Sequence, residues 1–310
     1  MPVYNGEKWL EQAIESLVEQ DYPNKEILLI DDCSSDSSWD ICKKYASKHE
    51  CIKIEKNDKN LGGIGNYEKV LRKAQGDYFV WTSQDDYWEK YFVSKLVSKL
   101  QADPEAVIAM GRTVCHTSDD EYVGEVSLVE PSYSGFEGYF KQALRLMHPV
   151  KDGVLLKNNL FLHGVINASK LKNADKSFPG MMVVDRHYLL QLALSGKWLF
   201  VDEILYHRRV HENISRRAND PITTSQATWY FPLTGIFKML YSVVVAQIVP
   251  LHRKLYALPI VIVYLISQIP FMINRIMANL LPNNIYRYAR ELYRTVKTYY
   301  FKIHARGDKL

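Results

Sequence analysis

The sequence of 310 residues contains only four cysteines, and several features that it lacks already narrow its class. Cys33, Cys42, Cys51 and Cys115 form no CxxC pair and have no histidines at zinc-finger spacing, so we expect reduced thiols in a cytosolic protein. The opening MPVYNGEKWL has no basic stretch followed by an apolar run, which predicts no signal peptide. Neither GxGxxG nor the P-loop pattern GxxxxGKS/T occurs, so the usual dinucleotide and P-loop signatures are missing.

Acidic residues are scarce in the last part of the chain. From residue 228 onward there are eleven Lys/Arg and two Asp/Glu, a net charge of +9, while the whole chain carries +4. The preceding residues therefore carry −5. The composition, 47% hydrophobic and 24% charged, is that of a globular protein able to bury a core. The basic end predicts an anionic partner for that part of the chain.

The first 110 residues alternate between apolar runs of strand character and amphipathic helices. We predict helices at 6–20, 39–48, 67–75 and 89–101, and strands at 26–30, 51–56 and 77–81. The first helix has an apolar stripe made of Trp9, Leu10, Ala13, Ile14, Leu17 and Val18. This alternation predicts an α/β fold with a mostly parallel sheet flanked by helices, in which ligands bind beyond the carboxyl ends of the strands.

Two pairs of adjacent aspartates follow predicted strands. Asp31 and Asp32 end the strand at 26–30, and Asp85 and Asp86 follow the strand at 77–81. We expect both pairs to line one crevice, because both lie at carboxyl ends of strands. Such carboxylates bind a hard cation or accept hydrogen bonds from a ligand, but Asp also caps helices. The residue pattern alone leaves both interpretations open.

Three further segments carry candidate site residues. The loop NLGGIG, with Asn60 and Gly62, lets the backbone approach a ligand or turn tightly. Asp185 begins a predicted helix at 183–196 and is either a general base or a first-turn acid that complements the helix dipole. The segment YHRRVHENISRR, with Arg209 and His211, is either a solvated basic loop or a clamp for a diphosphate.

The order of these motifs resembles that of the family 2 glycosyltransferases of the GT-A fold, over about residues 2–215. The segments that carry the resemblance are PVYNGEKWLEQAIESLVEQDYPNKEILLIDDCSSDSSWDI and NLGGIGNYEKVLRKAQGDYFVWTSQDDYW. The resemblance implies a GT-A Rossmann-like sheet flanked by helices. It divides the chain into a nucleotide-sugar-binding half at 1–110, an acceptor-binding half at 111–218, and a basic, apolar helical tail at 219–310.

The same resemblance assigns roles to individual residues. Tyr4 corresponds to the residue that stacks on the base, and Asp32 to the acid that contacts the nucleobase, with Asp31 beside it. The further donor contacts that it implies are Pro2, Asn60, Gly62, Gln84 and Arg209.

The chemistry that the resemblance implies is an inverting transfer assisted by a divalent cation. Asp85, Asp86 and His211 correspond to the site for Mn²⁺ or Mg²⁺, and Asp185 corresponds to the base that deprotonates the acceptor hydroxyl. The cation stabilises the charge that develops on the diphosphate leaving group.

This sequence departs from the family pattern at three places. Ser83 replaces the first acid of the metal-binding motif, and Val184 stands where an acid often precedes the catalytic base. The family has a strand before the P-x-Y-N motif, whereas this chain begins at Met1–Pro2. We therefore expect a truncated first strand.

The basic tail contains 19 uncharged residues, 255–273, bracketed by Lys254 and Arg275. Two prolines, Pro259 and Pro270, interrupt this run, which favours in-plane or re-entrant helices on an anionic membrane surface over one true span. A soluble helical cap on the catalytic domain is the third interpretation. Long aliphatic runs among the basic residues do not fit a nucleic-acid-binding groove.

The combined prediction is a peripheral or re-entrant glycosyltransferase at the cytoplasmic face of the cell membrane. It would move a sugar from a nucleotide diphosphate-sugar to a lipid-linked or cell-surface glycan acceptor. The alternative is a catalytically inactive glycosyltransferase-like scaffold at the membrane, suggested by Ser83 and the short first strand. A nucleotidyltransferase is disfavoured because no Gly-rich phosphate loop with a lysine lies near the N-terminus.

Overall fold

The computed structural model describes residues 1–126, 162–172 and 184–210, together with parts of 240–262. The strands are β1 Pro2–Val3, β2 Ile27–Asp31, β3 Ile52–Lys56, β4 Tyr78–Phe79, β5 Tyr87–Trp88, β6 Ala106–His116, β7 Tyr122–Val126, β8 Val165–Asn167 and β9 Lys197–Arg209. The helices are α1 Leu10–Val18, α2 Ser38–Ala46, α3 Gly62–Lys73, α4 Phe92–Ala102, α5 Ala168–Lys172, α6 Val184–Ser195 and α7 Leu251–Lys254. The predicted alternation of strands and helices over the first 110 residues is confirmed.

The described strands form two sheets, which corrects the prediction of one mostly parallel sheet. β1, β2 and β3 run parallel in that order. The second sheet has the order β4-β8-β6-β9-β5, with β7 also paired to β6. Within it only β6 and β9 run parallel, and the other four pairs are antiparallel. The difference arises because β8, from later in the chain, lies between β4 and β6.

The α1 stripe predicted from the sequence forms part of the core. Leu10, Ala13, Ile14 and Leu17 are buried, and Trp9 and Val18 are partly buried beside them. Burial of one such aliphatic side chain contributes roughly 1.5–3 kcal/mol. The helix is shorter than predicted, because residues 6–9 form a turn in which the carbonyl of Gly6 accepts the N–H of Trp9 at 3.1 Å.

The first strand is short, as expected from the comparison with the family pattern. β1 has two residues and pairs with β2 through Pro2–Ile30 and Val3–Asp31. A groove of about 390 Å³ lies between β2 and β4, and its walls include the apolar side chains of Leu28, Phe79 and Phe92. It is therefore separate from the acidic loops described below.

The second sheet brings the end of β9 next to the second acidic pair. β6 and β9 run parallel, so their last residues His116 and Arg209 are register partners. β5 runs antiparallel to β9, with Tyr87 opposite His207. The turn that holds Asp85 and Asp86 leads directly into β5, so it lies beside the end of β9.

The tail enters the structure only in part. Residues 211–239 and 263–310 lie outside the described residues, and so does the prediction of a helical region over most of 219–310. Among the residues that are described, no helix has both the length and the apolar character needed to cross a membrane.

The close approach of β6 to the end of α6 predicts a large effect at one glycine. A Cβ at Gly196 would lie 2.3 Å from the carbonyl oxygen of Glu105 and 2.5 Å from a methyl group of Val107. We expect Gly196→Ala to lower the free energy of unfolding by roughly 1–3 kcal/mol, because the backbone must move to relieve the overlap. Gly124→Ala is the control, since nothing lies within 4 Å of a Cβ there. Equal denaturant midpoints for the two variants would contradict the prediction.

Candidate active site

The two carboxylates of the second acidic pair have different surroundings. Asp86 is 3% exposed and accepts hydrogen bonds from the hydroxyl of Tyr206 and from the backbone N–H of Arg209 at 2.9 Å. Burial, and then the negative charge of Asp85, raise the pKa of Asp86 to about 6. Asp85 is half-buried. Asp86 thus ties the turn to β9, and Asp85 is the carboxylate better placed to meet a cation.

Gln84 joins this acidic turn to the opening motif. Its Oε1 accepts the backbone N–H of Tyr4 at 2.7 Å, and its Nε2 donates to the carbonyl of Tyr4 at 2.9 Å. A Cβ at Gly6 would lie 2.5–2.8 Å from the Gln84 amide, so a larger residue there would displace this amide. The Tyr4 side chain is 49% exposed, and its predicted stacking on the base stays a prediction. The predicted donor contact through Gln84 stays a prediction, since both ends of this amide bind Tyr4 here.

The first acidic pair is buried at the end of β2 and organises the loop that contains Asn60. Oδ1 of Asp32 accepts hydrogen bonds from Nδ2 of Asn57 at 2.7 Å and from the backbone N–H of Leu61 at 2.8 Å. Oδ2 of Asp32 accepts no hydrogen bond from the described residues. Asp32 therefore fixes the loop with one oxygen, and the other is the atom that the predicted nucleobase contact would use.

Asp31 is bound more loosely than Asp32. Its Oδ2 accepts the backbone N–H of Ser34 at 3.1 Å and lies 3.8 Å from Nζ of Lys56. Its Oδ1 is buried and has no hydrogen-bond partner within the described part of the chain. An unsatisfied buried acceptor of this kind costs free energy, and a donor from a ligand or water would relieve it.

The glycine-rich loop turns tightly, one of the two outcomes expected for it. Oδ1 of Asn60 accepts the backbone N–H of Gly62 at 2.8 Å, and Gly62 has a φ of +73°. A left-handed conformation of this kind favours glycine. The helix α3 begins at Gly62, five residues earlier than predicted, so Asn60 and Gly62 form its entry turn.

The two arginines at the end of β9 lie on opposite faces of the strand, because side chains alternate along it, and only Arg209 was predicted as a site residue. The guanidinium of Arg209 is enclosed by protein groups: Oδ1 of Asp120 at 2.7 and 2.9 Å, the carbonyl of Asp85 at 2.7 Å, and Oε1 of Gln12. It is 2% exposed. This geometry does not favour the predicted contact of Arg209 with donor phosphates.

Arg208 lies close enough to the acidic pair for its charge to lower the pKa of Asp86. Tyr206 and Arg208 share one side of β9, because side chains alternate along a strand. Burial and Asp85 raise the pKa of Asp86, while the charge of Arg208 lowers it. The signal that could have found Arg208 is this alternation, since Tyr206 and Arg208 are two residues apart.

His163 is another residue near the acids that sequence reasoning missed. It lies with Nδ1 3.0 Å from the carbonyl of Trp81, and its ring stacks on Tyr206 with centroids 5.5 Å apart. Burial lowers the pKa of His163 to about 4, and the charge of Arg208 acts in the same direction. His163 is therefore neutral at pH 7 and packs behind the Asp86–Tyr206 hydrogen bond.

Two predicted site residues receive little or no description from the structure. Asp185 is the second residue of α6, and its side chain lies outside the described part. His211 follows the last described residue of this region and lies outside it as well. Their roles as base and metal ligand stay predictions.

The acids of this site are compatible with a hard divalent cation. The described residues contain no group of three or more His, Cys, Asp and Glu that could hold a metal by themselves. Mg²⁺ and similar cations need only one or two protein carboxylates when substrate phosphates supply the other oxygens. Asp85, half-buried beside Asp86, provides such a carboxylate. The donor set therefore fits a cation shared with a diphosphate.

The sequence of this chain is similar to those of known proteins. Residues 1–163, just over half of the chain, match the family described as Glycosyl transferase family 2. The chain belongs to glycosyl transferase family 2. The predicted resemblance is confirmed.

Two relatives illustrate the extent of the similarity. The chain is 36% identical over 93 residues to the poly(ribitol-phosphate) beta-N-acetylglucosaminyltransferase TarS of Staphylococcus aureus, which covers 29% of this chain and 16% of that protein. It is 25% identical over 234 residues to the glycosyltransferase GlyG of Streptococcus pneumoniae, which covers 71% of this chain and 73% of that protein. The matches span only 16–35% of the length of the first curated relatives.

The solved structures show that the fold extends beyond the matched family segment. The crystal structure of S. aureus TarS 1–349 in complex with UDP-GlcNAc is similar with a TM-score of 0.62 and 17% identity, over 91% of this chain and 75% of that chain. The complex of the same protein with UDP gives 0.61 and 18%, over 91% and 74%. The chain therefore has the α/β GT-A-like fold.

The neutral state of the partly buried His163 predicts a dependence of stability on pH. Its pKa is lowered from 6.5 to about 4, so its stabilising contribution is complete above pH 6.5 and is lost as the pH falls towards 4. The full loss amounts to roughly 3 kcal/mol. We expect His163→Gln to flatten the fall in the free energy of unfolding between pH 6.5 and 4.5, measured by denaturant titration.

His207 supplies the comparison for this experiment, because burial lowers its pKa as well. His207→Gln should therefore remove a separate part of the pH dependence and leave the part due to His163. A His163→Gln variant with the full pH dependence of the wild type would contradict the prediction.

Proposed function

We propose that this protein is an inverting glycosyltransferase that uses a nucleotide diphosphate-sugar and a divalent cation to glycosylate a lipid-linked or cell-surface glycan. The observation that carries the proposal is the acidic turn itself. This chain is a family 2 domain in which Asp86 accepts hydrogen bonds from Tyr206 and Arg209. Asp85 lies beside Asp86, and Gln84 binds the same turn to the backbone of Tyr4. The names of relatives such as TarS support an acceptor that is a surface polymer.

The donor would lie between the two acidic loops in this proposal. Tyr4 stacks on the base, and Asp32 accepts a hydrogen bond from it. Arg208 contacts the diphosphate from β9. Asp85 would hold Mn²⁺ or Mg²⁺, which when bound neutralises charge on the departing diphosphate.

The acceptor half of the mechanism depends on Asp185. Its carboxylate takes the proton of the acceptor hydroxyl as the oxygen attacks the anomeric carbon. The bond between that carbon and the diphosphate oxygen breaks on the opposite side, so the sugar is transferred with inversion. The nucleoside diphosphate leaves with the electron pair of the broken bond.

Donor binding can be tested by thermal unfolding with Mn²⁺ and a panel of UDP-, GDP- and dTDP-sugars. A donor at about 100 times its dissociation constant should stabilise the protein by roughly 2.7 kcal/mol. We expect this shift for one donor, dependent on the metal, and lost in Asp85→Ala because the diphosphate then has no bridging cation. Asp202→Ala is the control, since that carboxylate is 81% exposed on β9.

The outcomes separate the proposal from its alternative. Metal-dependent transfer by the wild type, reduced at least a thousandfold in Asp85→Ala, would support the enzyme. A folded wild type that binds no donor in the presence of Mn²⁺ would overturn the proposal and favour the inactive scaffold.

We also propose that the tail binds the anionic cytoplasmic face of the cell membrane. Four apolar side chains of the tail are strongly exposed: Leu251 at 82%, Leu255 at 77%, Leu258 at 55% and Ile262 at 47%. Their spacing of four, three and four residues is that of one helical face. The net charge of +9 from residue 228 onward adds attraction to anionic lipids.

Sedimentation of the full chain with lipid vesicles tests this surface. We expect binding to vesicles that contain phosphatidylglycerol and little binding to pure phosphatidylcholine. Leu251→Ser/Leu255→Ser should weaken binding at least tenfold, because each buried leucine contributes about 1.5 kcal/mol or more. The control is Tyr122→Ser/Val123→Ser, which removes two exposed apolar side chains of β7. Equal binding by both double variants would contradict the proposal.

A further inference from the structure

Arg209 holds the acidic turn from two directions. Its backbone N–H donates to Oδ1 of Asp86 at 2.9 Å, and its Nη1 donates to the backbone carbonyl of Asp85 at 2.7 Å. One residue of β9 thus binds the side chain of one aspartate and the main chain of the other. The turn between β4 and β5 has little regular structure of its own, because both strands contain only two residues.

The guanidinium is itself fixed by two other parts of the chain. Nε and Nη2 of Arg209 both donate to Oδ1 of Asp120, at 2.9 and 2.7 Å, and Nη2 also donates to Gln12 of α1. Four of its five N–H groups are therefore used by protein acceptors. The guanidinium carbon also lies 5.3 Å from the centroid of the Tyr87 ring. A side chain bound in this way has little freedom to follow a substrate.

Asp120, which accepts these hydrogen bonds from Arg209, has a strained backbone conformation. It has a φ of +63°, in the turn between β6 and β7. A residue with a side chain rarely adopts this conformation, although Asp and Asn tolerate it better than most. The turn is also joined to the start of α1, because Nζ of Lys8 lies 3.5 Å from the carboxylate of Asp119. The strained turn therefore delivers its carboxylate to Arg209.

We propose that Arg209, fixed by Asp120 and Gln12, is a positioning residue that sets the direction of the Asp85 carboxylate towards the divalent cation. It acts through the backbone of Asp85 and does not contact the donor. The anion-binding role expected from the sequence for Arg209 then belongs to Arg208 on the opposite face of β9. This inference rests on the proposed function, because it concerns the cation of that site.

The test measures Mn²⁺ binding directly, by the electron paramagnetic resonance signal of free Mn²⁺. The wild type is titrated in the presence of UDP, GDP or dTDP, and the nucleotide that gives the tightest binding is kept for the variants. Asp120→Asn preserves the shape and the left-handed backbone but removes the charge, and Arg209→Lys cannot bind two acceptors in the same plane. We expect each to raise the dissociation constant of Mn²⁺ about tenfold.

Two measurements separate positioning from a loss of folding or a loss of donor contact. Thermal unfolding without ligand shows whether each variant is folded, and nucleotide binding in EDTA shows whether the donor site is intact. We expect metal-free nucleotide binding to be unchanged. Arg112→Lys is the matched control, since this arginine pairs with Glu125 at 3.1 Å and Asp202 at 3.6 Å away from the acidic turn.

Each outcome decides the inference. Wild-type Mn²⁺ affinity in a folded Asp120→Asn protein overturns it, even if Arg209→Lys fails to fold. Weaker nucleotide binding by Arg209→Lys in EDTA overturns it as well, because Arg209 would then contact the donor. A wild type that binds no Mn²⁺ with any of the three nucleotides overturns the proposed function first, and the inference with it.

Discussion

The buried carboxylate of Asp86 is the interaction on which the site depends. It joins a short turn to Tyr206 and Arg209 of β9, more than 100 residues away in the chain. Burying a carboxylate is costly unless hydrogen bonds satisfy it, and here two donors do so. The neighbouring acid is left facing a less enclosed environment. The two adjacent aspartates thus differ in their surroundings: Asp86 is buried and hydrogen-bonded to β9, and Asp85 is half-buried.

The charges around this carboxylate bear on the proposed cation. Burial and the charge of Asp85 raise the pKa of Asp86, while its hydrogen bonds with Tyr206 and Arg209 and the charge of Arg208 lower it. A divalent cation with its diphosphate would bring positive and negative charge together, so neither group is buried alone. The neutral His163 behind Tyr206 adds no positive charge that would compete with the cation.

The sequence predicted local features better than the pairing of distant strands. The apolar stripe of α1, the strand that ends at Asp31 and the tight turn at Gly62 follow from spacing and residue type over a few positions. The insertion of β8 between β4 and β6 depends on contacts between residues 56 to 89 positions apart, which no local pattern encodes. The donor contact predicted for Arg209 stays a prediction. The alternation of side chains along β9 places Arg208 on the same face as Tyr206 and indicates it as a further candidate.

The two hydrogen bonds between Gln84 and Tyr4 have a consequence for the evolution of donor choice. They join the loop that contains Tyr4 to the turn that contains Asp85 and Asp86, so that the two segments move together. If Tyr4 stacks on the base as proposed, a backbone shift there that makes room for a larger purine would be transmitted to the acidic turn, 80 positions later in the chain. Under the proposed function, a change of nucleobase preference should therefore require paired substitutions at the two loops, because a substitution at one loop alone would disturb the other.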